Sequence, residues 1–252
     1  MYLKSYTIST IKQVFIRWPK NIIHFFKFVS KFSKLRKIND GRFTLKIKDL
    51  YPCLKDKTTF TPVDQHYIYH PAWAARILAK TKPEYHVDIS SILCFSTIVS
   101  AFIPIKFYDY RPAQLTLSNW KGDAVNLIDL PFLNNTIPSL SCMHTIEHIG
   151  LGRYGDPLDI KADIQAINEL KRVLAPNGDL LFATPISGKP RIEYNAHRIY
   201  NYEQLLSLFN DFELIEFSLI PDKGGLIENA DPHLASKQQY GCGCFWFKKL
   251  IL

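Results

Sequence analysis

The chain has 252 residues, 47% of them hydrophobic and 21% charged, which is ordinary composition for a folded α/β domain and excludes general disorder. Its formal charge of +8 resembles a nucleic-acid signal until the charges are located. Nine of the 31 Lys and Arg residues fall in the first 37 positions, ahead of the first acidic residue, Asp40, which leaves 22 basic against 23 acidic residues in the remainder. The basicity belongs to an arm, no nucleic-acid reading motif accompanies it, and no nucleic-acid partner is expected. Five cysteines lack zinc-motif spacing, and no uncharged apolar stretch is long enough for a membrane span. A cytoplasmic setting is the simplest reading.

Residues 1–40 form the arm, in which Ile11, Val14, Phe15 and Trp18, then Ile22, Ile23, Phe25, Phe26, Phe28, Val29 and Phe32 alternate with lysines. That spacing predicts two short amphipathic helices broken near Pro19, suited to peripheral contact with an anionic membrane surface through residues 1–37. A helical extension packed on the domain accounts for the same pattern. Residues 41–85 read as a connector with an edge strand at Phe43 to Ile47, then a leading helix from Trp73 to Lys80.

From residue 86 to the C-terminus the pattern alternates. Strands are predicted at His86 to Ile89, Ile105 to Tyr108, Asn119 to Trp120, Ser139 to Met143, Asp179 to Thr184 and Glu213 to Leu219. Helices fall between Ile92 and Phe102, from Ile160 to Leu174 with Asn177-Gly178 as terminator, and from Tyr202 to Phe209. This order implies a mostly parallel, doubly wound Rossmann-like sheet with ligands at the carboxyl ends of its strands.

Three carboxylates sit at those ends. Asp109 follows Asp88 by 21 residues, close to the interval at which Rossmann-type folds place a carboxylate on ribose hydroxyls. Asp123, after the third strand, suits an adenine amino group, although each of the three is also an ordinary turn or cap residue. The fourth strand ends in His144, Glu147 and His148, and a glycine-rich loop with Arg153 and Asp156 follows. That loop reads either as a ligand wall or as a turn held by a Glu147–Arg153 pair. Two histidines are too few for a metal centre, and none is expected. After the fifth strand, His197 suits a general base and Arg191 and Arg198 an anion clamp, with a loop-ordering network as the alternative.

In order, these segments resemble the class I S-adenosylmethionine-dependent methyltransferases, with HVDISS standing where that superfamily has a D-x-G-x-G loop. HPAWAARI, GDAVNL, SLSCMHTIEHIGLGRYGDPLD, INELKRVLAPNGDLLF and YNAHRIY resemble, more specifically, the domain of unknown function 268 family. The resemblance spans Tyr67 to Ser218. It implies S-adenosylmethionine as cofactor, with Asp88, Ser90, Asp109, Asp123 and His144 on the donor side and Glu147, Arg153 and His197 facing the acceptor. The acceptor it suggests is a small molecule, a sugar or glycolipid hydroxyl of surface polysaccharide synthesis. Ser90 departs from the family's HVDIGS, and glycine there permits positive φ and close backbone approach. That departure favours a second reading, a degenerate fold that binds partners or membrane without catalysis. A third, a dinucleotide-using enzyme, lacks its G-x-G-x-x-G after the first strand.

Overall fold

The computed structural model describes residues 22–251 and divides the chain into two compact units, Met1–Pro62 and Val63–Leu252. In the first unit, residues 22–37 lie in a helix, α1, that leaves Ile22, Ile23, Phe25, Phe26, Val29 and Leu35 exposed. The first of the two expected arm helices falls outside the described residues. Phe43 to Ile47 is not a strand: the segment is irregular and turns into a short 3-10 helix, Ile47–Asp49, with Phe43 and Ile47 both exposed, so the alternation buries no face.

The second unit is built on a seven-stranded sheet in the order β3-β2-β1-β4-β5-β9-β8. The strands are β1 (His86–Ile89), β2 (Ile105–Asp109), β3 (Trp120–Ala124), β4 (Ile137–Met143), β5 (Leu174–Ile186), β8 (Phe212–Ile220) and β9 (Gly241–Lys249). Pairs from β3 to β5 are parallel, and β9 runs antiparallel to both β5 and β8. A separate hairpin joins β6 (Arg191–Glu193) to β7 (His197–Ile199). The sheet is Rossmann-like and mostly parallel, as the alternating pattern requires.

Period-two alternation divides the core between the two faces. Val87, Ile89, Leu140, Cys142, Leu180 and Phe182 pack toward α4 (Ala162–Val173) and α5 (Tyr202–Leu208). Met143, Leu181, Ala183, Cys242 and Cys244 point the other way, toward α2 (Gln65–Thr81) and α3 (Leu93–Val99). All five cysteines are free thiols.

α2 starts eight residues before Trp73, capped by Asp64, whose carboxylate accepts the Tyr67 N–H at 3.4 Å, and it runs through Pro71. Proline forfeits one helical hydrogen bond, but burial of His70, Trp73, Ala74, Ile77 and Leu78 holds the helix on the sheet. α4 stops at Val173, where Leu174 already begins β5. Asn177-Gly178 is therefore a bend inside β5, with Asn177 at φ +59°, rather than a helix terminator. The fourth-to-fifth strand register skips there, from Leu174 opposite Ile137 to Asp179 opposite Ser139.

Candidate functional site

Two cavities open at the carboxyl ends of the parallel strands, and His144 and His148 line both. The first, the strand-end cavity, has a volume of about 390 Å³ and is walled by Ser90 after β1, Asp109 and Arg111 after β2, Asn126 and Leu127 after β3, and the glycine-rich loop. The second, the histidine cavity, measures about 480 Å³ and is walled by Tyr67, His144, Glu147, His148, Arg153, Asn195, His197 and Tyr240.

Ser90 adopts φ +56°, the left-handed conformation its glycine-position context demands. The backbone path survives the substitution, at a conformational cost of about 1–2 kcal/mol for a side-chain-bearing residue. Three bonds stabilise it: its N–H donates to the Tyr108 carbonyl at 2.7 Å, its hydroxyl to the same oxygen at 3.3 Å, and its own carbonyl accepts from Thr145 at 3.0 Å. Asp109 accepts the Arg111 N–H through Oδ1 at 2.8 Å and lines the strand-end cavity.

Asp88 and Asp123 are not among the residues lining either cavity. Asp123 is exposed beyond β2, opposite Tyr108 in register, and accepts the Ala124 N–H. Asp88 is fully buried and belongs to a chain of hydrogen bonds under the sheet. Ser141 donates to its Oδ1 at 2.6 Å, and His86 contacts Ser141 at 2.8 Å through Nε2 and Ser139 at 2.7 Å through Nδ1. Because the Ser141 hydroxyl donates to Asp88, its oxygen accepts from His86 Nε2–H, and His86 Nδ1 in turn accepts from the Ser139 hydroxyl. Burial pushes Asp88 up to about 7 and His86 down to about 3.

Glu147 and Arg153, six residues apart after β4, and His197, 44 residues further on, all line the histidine cavity. Glu147 pairs with His144 (Nδ1 to Oε1, 2.8 Å), both side chains being almost inaccessible, and not with Arg153. Burial disfavours charge on both groups. Cys242 and Glu147 nevertheless lift His144 to about 10, while His144 holds the Glu147 carboxyl below its usual range. The Cys242 thiol is itself pushed well up by burial and by Cys244, so Glu147 is the partner that keeps the imidazole charged near neutrality. Arg153 instead donates to the Ala196 carbonyl at 3.1 Å, which His148 Nδ1 also contacts at 2.6 Å.

His197 stacks on Tyr240, with ring centroids 5.0 Å apart, and its Nε2 lies 3.3 Å from the Glu193 carboxylate without hydrogen-bond alignment. Burial lowers its pKa against the pull of Glu193 and Glu147, so the ring is a neutral acceptor at pH 7. Burial and Glu147 push the Tyr67 hydroxyl up to about 12, which keeps it a donor.

The anion-clamp expectation for Arg198 is corrected: the side chain is buried and its guanidinium donates to the Ile149, Asp159 and Ile160 carbonyls. Arg191 is engaged by Glu193 and the Gln239 carbonyl. Asp156 holds the glycine-rich loop by accepting from the N–H groups of Gly150, Gly152 and Tyr154. Gly150, at φ +77°, has no substitute, since a Cβ there would lie 2.1 Å from the Asp159 carbonyl oxygen. His66, His70, Tyr67, Asn126 and Tyr240 escape the sequence reasoning. The spacing of His66 and His70, four apart ahead of Pro71, was the available signal for the first two.

The order of parallel strands, the reversed β9 and the strand-end cavities define a class I methyltransferase fold. Among solved structures, the chain resembles the 1,6-didemethyltoxoflavin-N1-methyltransferase of Burkholderia thailandensis at TM-score 0.50 and 10% identity, covering 72% of this chain and 79% of that one. It resembles the N-methyltransferase NodS of Bradyrhizobium japonicum at TM-score 0.50 and 12% identity, covering 74% and 89%. No curated protein matches the sequence. Within that fold class, residues 133–239 match the family described as Caenorhabditis protein of unknown function, DUF268. The matched stretch contains the glycine-rich loop and the His197 hairpin.

Proposed function

We propose that the protein is an S-adenosylmethionine-dependent methyltransferase acting on a hydroxyl of a small acceptor of the sugar or glycolipid type. The observation that carries this reading is the meeting of two cavities at His144 and His148: a transfer between two bound molecules needs two adjoining sites held in fixed geometry. The strand-end cavity suits the cofactor. Ser90 keeps the open backbone turn, Asp109 offers a free carboxylate oxygen for paired ribose hydroxyls, and Asn126 offers an amide at the third strand end. Asp123, outside the cavity lining, is given no cofactor contact, and Asp88 acts from beneath by holding β1 to β4 through Ser141. S-adenosylmethionine, when bound, supplies an activated methyl group.

In the histidine cavity, neutral His197, held by stacking on Tyr240, takes the acceptor hydroxyl proton, while Arg153 and Asn195 orient the acceptor's oxygens and Tyr67 supplies an aromatic wall for a sugar ring. Glu147 fixes His144 at the junction of the two sites. The neighbours named above are similar proteins whose own descriptions are methyltransferases, one with S-adenosylhomocysteine and substrate bound, and this supports the cofactor assignment.

The test is a thermal melt with and without S-adenosylmethionine and S-adenosylhomocysteine. A ligand at 100 times its dissociation constant adds about 2.7 kcal/mol, so the midpoint is expected to rise by roughly 5–10 °C, and Asp109→Ala to remove most of the rise. No rise at millimolar cofactor would favour the degenerate, non-catalytic reading instead.

Residues 1–37 are proposed to touch an anionic membrane surface at its cytoplasmic face. Support comes from the nine basic residues of the arm and from the exposed Ile22, Ile23, Phe25 and Phe26 of α1. Among the described residues, no helix is long and apolar enough to cross a membrane. Flotation with anionic liposomes is expected for the full chain and lost when the arm is removed at Asp40; equal flotation of both would sink the idea.

A further inference from the structure

Beside the histidine cavity, behind His144, a group of buried metal-type donors has no role in anything described so far. His66 on α2, His144 after β4 and Cys242 on β9 are all buried, and each presents one ligating atom such that the three lie within 4.8 Å of one another. Glu147 occupies His144 Nδ1, and the opposite nitrogen, Nε2, is buried with no hydrogen-bond partner among the described residues. His70, one turn after His66 on the same helix face, sits with its ring 5.0 Å from that of His144, and neither of its nitrogens has a partner among the described residues. Buried polar groups in folded proteins are nearly always hydrogen-bonded, so three unpartnered nitrogens in one place call for a ligand.

We propose that His66, His144 and Cys242 form a site for a zinc-like divalent transition-metal ion. Two imidazoles and one thiol match the borderline-soft preference of such ions and not the oxygen donors that magnesium and calcium require. Glu147 to His144 is the carboxylate–histidine arrangement that fixes a ligating ring: Glu147 keeps the proton on Nδ1, and metal binding displaces the Nε2 proton and the Cys242 thiol proton to solvent, leaving the far nitrogen and the thiolate for the metal. Ligands around tetrahedral zinc stand about 3.3–3.7 Å apart from its bond lengths, so a closure of at most roughly 1–1.5 Å from the 4.8 Å bound completes the set. Three protein ligands leave a fourth position, open to water or an acceptor oxygen or closed by His70. The site lies where α2, the β4 loop and β9 converge, three segments brought together only by the fold.

Metal binding is read without cofactor or acceptor, so its outcome is separate from that of the melt. Full-length protein stripped with a chelator is titrated with Co²⁺. Wild type is expected to develop a near-ultraviolet thiolate-to-cobalt band with tetrahedral visible bands, and Zn²⁺ to abolish both. Cys242→Ser is expected to lose the near-ultraviolet band with its far-ultraviolet circular dichroism unchanged. Glu147→Gln is expected to weaken cobalt binding about 10- to 100-fold. Absence of the band in wild type at tenfold excess Co²⁺, or a band of full strength in Cys242→Ser, would overturn the assignment. Should Cys242→Ser fail to fold, His66→Gln on the first turn of α2 decides the matter: weakened visible bands support the site, and binding at wild-type strength refutes it.

Discussion

The two cavities are built on opposite plans. The strand-end cavity is assembled from consecutive strand–loop junctions, each contributing one turn: Ser90 after β1, Asp109 after β2, Asn126 after β3. The histidine cavity draws on Tyr67, Glu147, His197 and Tyr240, which belong to α2, the β4 loop, the β7 hairpin and the turn before β9. The first tolerates a change of side chain because backbone geometry makes the wall. The second depends on buried charge and on packing between distant segments.

The largest expected effect breaks the second plan at its centre. Glu147→Ala leaves the His144 imidazolium buried and unpaired, and removal of one partner of such a pair costs about 3–5 kcal/mol. In a unit of this size that lowers the melting midpoint by roughly 6–20 °C, measurable by calorimetry.

Beneath the strand-end cavity the same contrast is read through pH. A carboxyl raised to about 7 by burial binds its proton more tightly when folded, so the Asp88 contribution is fully present below its unfolded pKa near 4 and is lost as pH rises to about 7. A histidine lowered to about 3 does the reverse: the His86 contribution is present above its unfolded value of 6.5 and is lost as pH falls toward 3. The two slopes oppose each other between about pH 4 and 6.5. Asp88→Asn is therefore expected to make urea stability fall more steeply on acidification than in wild type. His86→Gln is expected to make it rise. Variants with slopes equal to wild type would break the account.

The smallest effect tests the backbone plan. Ser90→Gly relieves the left-handed strain of about 1–2 kcal/mol but gives back part of it through a freer unfolded chain. The expected gain is below roughly 1 kcal/mol, with cofactor affinity equal or better. A clear loss of stability would assign the Ser90 hydroxyl a role that its 3.3 Å bond to the Tyr108 carbonyl does not suggest.

These differences match what was legible in the sequence. Alternation of apolar residues located β1 to the residue, and β2, β4, β8, α4 and α5 to within a few, because each presents a regular face to the core. β3 was seen only at its first residue, Trp120, since the rest of the strand is exposed and polar. β9 was missed: its GCGC start carries little strand propensity, and only placement between β5 and β8 buries it. The start of α2 was missed because Pro71 reads as a helix boundary, and with it went His66 and His70. Glu147, Arg153 and His197 were recognisable one at a time from residue type and strand-end position. Their common cavity, and the preference of Glu147 for His144, depend on contacts that local patterning does not encode.

The position of β9 has a consequence for the order of assembly. It lies between β5 and β8 yet follows both in sequence, so during synthesis β8 emerges with no strand to pair with and β5 waits with one edge open. Exposed strand edges of this kind invite association with other chains. A nascent chain arrested between residues 221 and 240 thus holds five parallel strands and an orphan. Emergence of β9 fills the gap between β5 and β8 and, by delivering Cys242, completes the wall against which His66 and His144 stand.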